Sequence, residues 1–393
     1  MNSPITMLFW VSIALVAYVF VGYPLALALW GALRPRPWRR DSQEPTISIV
    51  MAAHNEAASV MPKIRNLLSL DYPSDRVEIL VGSDGSTDGT VERLLEVSEP
   101  RIRVFIIPER RGKPAVLNTL VPKARGEIVV LADVRQTFDP QVLRALTRAF
   151  ADPQVGAVTG ELILMRNESG AAVGEGSGFY WRYEKFIRSR ECIIDSTIVV
   201  TGAIYAIRRT LFEPIPADTI VDDLLIPLRI ARRGYRVVFE RDARAYDAAP
   251  ATAGQEFTRK VRTLAGAFQL FARERWLFNP MANRLWWQTM SHKALRLLVA
   301  PLQVTALAAN VVLAPRSAFY QFILLAQMFF YAGAIAACVL PRGWKRPLAV
   351  TFPYIFCLLS WATVLGFLRW ITRRQTVRWD KAAGSFAATG TPN

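Results

Sequence analysis

Cysteine and histidine are nearly absent from this chain. The three cysteines, Cys192, Cys338 and Cys357, show no paired spacing, and there are only two histidines, His54 and His292. Neither a disulfide framework nor a histidine-rich metal centre can be built from them. Charge is also scarce, at 20% of 393 residues against 52% hydrophobic, with a mean hydropathy of +0.21. That balance excludes a disordered chain and is too apolar for a purely soluble enzyme. The scarcity is local: residues 1–33, 297–315, 317–340 and 347–368 contain no Asp, Glu, Lys, Arg or His. Each run approaches or exceeds the roughly 20 residues that cross a bilayer. Two nucleotide-binding signatures are missing as well. No GxGxxG follows the first apolar strand and no GxxxxGK[ST] occurs, which disfavours a Rossmann dinucleotide site and a P-loop.

The charge that is present is basic, +16 net with a pI near 10.2. Much of the excess flanks the apolar runs, as in RPRPWRR (34–40), Arg342, Lys345 and Arg346, and Arg369, Arg373, Arg374, Arg378 and Lys381. Such clusters hold loops on the cytoplasmic side against anionic lipid, so membrane lipid is the expected partner, and no recognition motif points to nucleic acid. The first run has no basic n-region and outlasts the about 7–15 residues of a signal core, so it is expected to be a retained anchor. Four segments follow: an N-terminal membrane helix at 1–33, a cytoplasmic catalytic domain at 34–282, an interfacial helix with C-terminal membrane segments at 283–370, and a basic tail at 371–393. Parity of three C-terminal crossings puts the tail outside, whereas the five basic residues after Leu368 argue for inside. The weakest span is 297–315, with Pro301, Gln303, Thr305 and Asn310, and NRLWWQTMSHKALR before it reads as an interfacial helix.

Between the membrane segments, β-branched runs alternate with helical stretches, the pattern of an α/β domain with a parallel sheet. Strands are expected at 46–53, 77–84 and 127–133. Helices are expected over 55–70, from Asp88 through Val97, and from Asp139-Pro140. Ligands in open sheets of this kind collect at the carboxyl ends of the strands. Those ends are polar: His54-Asn55-Glu56, then Ser83-Asp84 through Gly89, then Asp133-Val134-Arg135. Carboxylates there suit a site for a ribose, a base or a metal-bound diphosphate. Asp88 reads as a cap; Asp84 and Asp133, directly after apolar strands, read as functional.

AAHNE, SDGSTDGT, RRGKPAVLN, LADVRQTFDP, VTGAIYAIRR and VDDLLIPLRIARRGYRV come in an order that resembles the membrane-embedded family 2 glycosyltransferases, relatives of the cellulose, hyaluronan and chitin-oligosaccharide synthases. The resemblance spans the soluble block and implies a GT-A fold. It implies a nucleotide-sugar donor, expected to be a UDP-sugar, and transfer with inversion to a glycan or lipid-linked acceptor. It also implies Mg2+ or Mn2+ and a bacterial inner membrane setting. Carried onto this chain, Ala53, Asn55, Glu56 and Asp84 fall in the nucleotide pocket. Lys113 and Asn118 fall in the donor-contacting segment, and Asp133 stands at the first Asp of the DxD metal motif. Asp223 stands at the general base, with Asp222 as the alternative base or an acceptor contact. Thr201 and Gly202 stand at the acceptor turn, although Gly202 fits a plain turn equally well.

Two departures from the family pattern carry weight. Arg135 replaces the second Asp of DxD and removes a metal ligand, while offering a guanidinium to the diphosphate. In place of a membrane-proximal QxxRW, the segment 255–263 has Arg259 and Arg262 as an arginine pair for the diphosphate and Thr263 where a tryptophan would stack. Addition of one or a few sugars per encounter is therefore expected. Trp181, in the amphipathic stretch 179–191, is a lesser candidate for sugar stacking. The segment 376–381 is similar to the family's Trp-containing gating segment. Two other functions fit the same residues: a polyprenyl-phosphate glycosyltransferase, and a catalytically silent relative that binds nucleotide-sugar.

Overall fold

A computed structural model describes residues 3–165, 173–248, 253–340 and 347–378. The chain begins with two apolar helices, α1 (Pro4–Ala17) and α2 (Tyr23–Leu33), joined through a π-helical turn at Tyr18–Gly22. The elements that follow are β1 (Ile47–Ala53), α3 (Ala57–Leu68), β2 (Val77–Asp84), α4 (Thr90–Leu95), β3 (Ile102–Ile107), α5 (Lys113–Leu120), β4 (Ile128–Ala132), β5 (Thr137–Phe138), α6 (Val142–Thr147), β6 (Val155–Met165), α7 (Val173–Ile194), β7 (Ile204–Arg208), α8 (Asp222–Arg232), β8 (Arg236–Ala248) and α9 (Ala253–Arg273). The C-terminal part holds α10 (Trp286–Gln288), a π-helical stretch Thr289–Ala294, α11 (Leu295–Leu297), α12 (Val299–Leu313), α13 (Ala318–Val339) and α14 (Leu348–Ile371).

These elements form two compact units, each assembled from separated stretches. One takes Met1–Arg36, Arg166–Ile194 and Pro250–Gln375; the other takes Pro37–Met165, Asp195–Ala249 and the residues from Thr376. Segments 166–194 and 250–282, expected by linear reading to lie in the catalytic domain, thus group with the apolar helices.

The second unit is built on an eight-stranded sheet of order β3-β2-β1-β4-β7-β6-β8-β5. β1 and β4 are buried along their whole length, which is why they read as unbroken apolar runs. The alternation of strand and helix leads one to expect a parallel sheet, and β3, β2, β1 and β4 are parallel. The sheet then reverses: β7 is antiparallel to β4 and to β6. A tight turn, with Ile204 N donating to Thr201 O at 2.9 Å, leads directly into β7. Because Ile204 pairs with Ala132, the start of β7 lies beside the end of β4. The Thr201-Gly202-Ala203 turn is thereby brought next to Asp133.

Among its described residues the first unit has four helical stretches long and apolar enough to cross a membrane: Pro4–Leu33, Val299–Arg316, Ala318–Val339 and Leu348–Ile371. They leave large apolar side chains such as Phe322, Phe329 and Val339 exposed, a surface that water disfavours and lipid accepts. Phe9 on α1 packs with Ala309 and Leu313 of α12 and edge-on to Tyr320 of α13. α9 lies against α14: Phe268 stacks on Trp370 at 5.9 Å, and Gly366 leaves room for the backbone of Val261 and Ala265 to approach. A buried polar chain joins α2, α7 and the helical stretch before α12. The Tyr23 hydroxyl donates to Glu191 at 2.6 Å, His292 lies between Glu191 (2.7 Å) and Glu184 (3.0 Å), and Arg296 pairs with Glu184. Burial opposes the charge on Glu184, but Arg296, His292 and Lys293 prevail and hold its carboxyl well below the usual range. Such a chain is costly unless every member is paired, and it accounts for α7 belonging to this unit.

Candidate active site

The floor of the site is made where the loops after β1 and β2 interlock. Asn55 adopts φ of +54°, and its Oδ1 accepts from Thr87 N at 2.8 Å while its own N donates to Ser86 Oγ at 3.1 Å. Asn tolerates this left-handed conformation because its short side chain bonds the local backbone. Glu56 N donates to Thr90 Oγ1 at 2.8 Å, and Asp88 accepts from Ala57 N and Thr90 N. His54 Nδ1 lies 2.6 Å from the Asp84 carbonyl. Ala53 has no exposed surface. In this geometry Asn55 and Asp88 shape the loops that surround the site.

Asp84 sits one layer deeper. Its two carboxylate oxygens accept from the backbone N–H groups of Arg111 at 2.7 Å and Gly112 at 2.8 Å, and the residue is 1% exposed. Gly112 needs its φ of +91° to turn the chain there, and that turn aims Lys113, the first residue of α5, into the site. Asn118, one helical turn further, grips the backbone of Ile215 at both ends of its amide, at 2.7 and 2.9 Å. As placed, Asp84 and Asn118 hold the segment that carries Lys113.

Lys113 is the centre of the arrangement. Its Nζ lies 2.8 Å from Asp133 Oδ1, 3.6 Å from Asp222 Oδ2 and 3.4 Å from the Gly202 carbonyl oxygen. Burial works against its charge, but Asp133, Asp222 and Asp223 outweigh it and raise the Lys113 pKa above its ordinary value. Asp133 keeps 41% of its side chain exposed, whereas Asp222 keeps 11%. Gly202 closes the other side: a Cβ there would stand 3.2 Å from Asp223 Oδ2, so the absence of a side chain is what lets this carboxylate approach the turn. Thr201 N donates to the buried Thr159 Oγ1 at 2.8 Å and fixes the turn to β6. The structure thus gathers Lys113, Asp133, Thr201, Gly202, Asp222 and Asp223 at one place. Arg135 is exposed on the loop after β4. Arg259 and Arg262 lie on α9, and Trp181 on α7, both in the first unit; the Lys260 ammonium stands 5.6 Å from the Trp181 ring.

Lys63 escapes a reading from sequence. It is 3% exposed on α3, donates to the Gln136 carbonyl at 2.6 Å and sits 3.4 Å above the Phe138 ring. Burial, only partly offset by Asp133, lowers its pKa to about 7. It props the loop that follows Asp133. The overlooked sequence signal is a lysine between Val60, Ile64 and Leu67 on the apolar face of α3. A second overlooked signal is plain in the chain: Gln375-Thr376-Val377-Arg378-Trp379 spells QxxRW beyond the last apolar run. Val377 lies where a Cβ on Gly112 would touch it, at 3.0 Å; Trp379 lies outside the described residues.

Among the described residues, no three His, Cys, Asp or Glu side chains form a metal-binding group. What the site offers a divalent cation is one accessible carboxylate, Asp133, beside a lysine. That fits a Mg2+- or Mn2+-like ion held by one or two carboxylates and completed by phosphate oxygens of a donor.

An open α/β sheet that reverses at β7, with Lys113 among Asp133 and the first two residues of α8, has the architecture of a GT-A glycosyltransferase. Residues 45–266, more than half of the chain, match the model of the glycosyltransferase-like family 2, and the chain belongs to that family. It is similar to the poly-beta-1,6-N-acetyl-D-glucosamine synthase of Staphylococcus aureus (strain COL), 25% identical over 243 residues, which are 61% of this chain and 58% of the relative. The synthase of the same name from Staphylococcus epidermidis is 25% identical over 235 residues, 58% of this chain and 56% of the relative. The chain therefore spans little more than half the length of these curated relatives. Among solved structures it resembles the mannosyltransferase PcManGT from Pyrobaculum calidifontis in complex with GDP-Man and Mn2+, with a TM-score of 0.71 and 25% identity over 93% of this chain and 99% of that one.

Proposed function

We propose that this family 2 glycosyltransferase moves a sugar, with inversion, from a nucleotide-diphosphate sugar to a hydroxyl of a glycan or lipid-linked acceptor, at the cytoplasmic face of a bacterial inner membrane. The observation that carries the reading is Lys113 held between Asp133 and Asp222, with Asp223 against Gly202. Direct displacement at the anomeric carbon needs a base on the attacking side and charge stabilisation on the leaving side. Asp223 takes the proton of the acceptor hydroxyl, whose oxygen forms the new bond to the anomeric carbon as the bond to the diphosphate breaks. Lys113 bonds the phosphate oxygens that receive the charge. Asp133 would hold the divalent cation, which when bound adds positive charge at the diphosphate. GDP-Man and Mn2+ in the Pyrobaculum mannosyltransferase support a nucleotide-sugar and a divalent ion as ligands.

The test is to incubate the detergent-purified protein with a panel of nucleotide-sugars and acceptors, with and without Mg2+ or Mn2+, and follow nucleotide release. One donor should be turned over in a metal-dependent way. Asp223→Asn should abolish transfer while keeping donor binding, and Asp133→Ala should weaken donor binding as well. Wild-type turnover in Asp223→Asn on a hydroxyl acceptor would refute the assignment. A polyprenyl-phosphate acceptor, a nucleophile that needs no base, would still react.

A further inference from the structure

Among the described residues of the second unit, two buried hydroxyls, those of Tyr205 and Thr219, have no partner, and that of Tyr205 is the one beside the Asp133 strand end. Tyr205, the second residue of β7, is 0% exposed, and its phenol oxygen has no hydrogen-bond partner among the described residues. It lies opposite Leu131 on β4 and Thr159 on β6. Cross-strand neighbours share a sheet face, so the ring stands on the side of Leu131, two residues ahead of Asp133. A buried hydroxyl left unmet is a cost that phenylalanine would avoid, so its presence needs a reason. A second unmet atom belongs to the cluster around Lys113. Oδ2 of Asp222 is buried and 3.6 Å from Lys113 Nζ, beyond hydrogen-bond length. One atom is a donor lacking an acceptor, and the other is an acceptor lacking a donor. Burial first, then the charges of Asp222, Asp223 and Asp133, hold the phenol well above its ordinary range, so it keeps its proton.

We propose that Tyr205 is a positioning residue of the transfer site, its hydroxyl donating to Asp222 when Lys113 turns from that carboxylate to the donor's diphosphate. This rests on the transferase reading given above. Lys113 has three N–H donors and here bonds Asp133 and the Gly202 carbonyl with them, while Asp222 is held by charge alone at 3.6 Å. Contact with a diphosphate must draw it from some of these partners. Asp222 is the most distant of the three, and at 8% exposure it is too buried for water to replace the lost cation fully. Tyr205 supplies the replacement from within the sheet. Holding Asp222 also holds Asp223, its neighbour in the first turn of α8, against Gly202.

The experiment uses the full-length protein in detergent and compares wild type with Tyr205→Phe in three measurements: thermal unfolding midpoint, nucleotide-sugar Kd, and kcat. The expected result is a midpoint unchanged or raised, a Kd within about twofold, and a kcat lower by about ten- to hundredfold, the worth of one hydrogen bond to a charged group. A kcat within about twofold of wild type would overturn the proposal. So would a lowered midpoint, which would mean that the hydroxyl is already bonded in the resting fold, or a loss confined to Kd. Wild-type protein that turns over no nucleotide-sugar would sink the transferase reading itself, before any variant is compared, and this proposal with it.

Discussion

Gly202 and Asp223 meet so closely that one methyl group decides the position of a carboxylate. In Gly202→Ala the new Cβ would press on Asp223 Oδ2 at 3.2 Å, and the carboxylate is what must yield. Small misplacements of a reacting group cost up to about a hundredfold in rate. We expect kcat to fall about ten- to hundredfold, with donor Kd within about twofold, measured by nucleotide release and by titration calorimetry. Lys63 gives a prediction in pH. Its folded pKa near 7 lies below its ordinary 10.5, so between those values the unfolded chain binds a proton that the folded chain does not, and stability rises with pH. The contribution is complete above 10.5 and lost as pH falls through 7. Lys63→Met should flatten that rise, seen as the difference between thermal midpoints of variant and wild type across pH 7 to 10.5. Identical slopes would show that Lys63 stays charged in the fold.

Among elements, the loop between β3 and α5 shows how a carboxylate can serve a site without facing it. Both oxygens of Asp84 are spent on the N–H groups of Arg111 and Gly112. Asp84→Asn would set an amide N–H against a backbone N–H, at a cost of about 1–3 kcal/mol. Donor affinity should fall with it, because Lys113 rides on that loop; stability loss without a change in Kd would separate the two effects. The strands at 46–53, 77–84 and 127–133 were legible to within a residue or two because doubly buried strands are written as continuous β-branched runs. Asp133 stands out in the sequence because it directly follows an apolar strand, whereas Asp222 and Asp223 stand out only through the resemblance of VDDLLIPLRIARRGYRV to the family motif. The reversal at β7 was not, since five residues of IYAIR carry no mark of direction. The first helix after Asp139 starts later than expected, at Val142, with Asp139 Oδ1 instead accepting from Gln141 N in a turn. The depth of Lys63 and the inward role of Asp84 also needed three dimensions, because both depend on partners far along the chain.

For the whole molecule, the open quantity is product length. Thr263 in place of a stacking tryptophan argues for one or a few sugars per encounter. Trp379, in the QxxRW string at 375–379, is the motif tryptophan that segment 255–263 lacks, and it removes the ground for that expectation. Sizing radiolabelled product under single-encounter conditions separates the two: short products in wild type support the first, and polymer that vanishes in Trp379→Ala supports the second. The composition of the second unit has a consequence of another kind. It draws on residues 37–165, on 195–249 and on those from 376, so its pieces leave the ribosome at widely separated times. At about 5–20 residues per second, Val377 emerges tens of seconds after the Gly112 turn it covers. The sheet is complete by Ala248, but the Gly112 turn must wait for its cover through the synthesis of α12, α13 and α14, and a chain stalled within those helices would leave the turn beneath Lys113 bare.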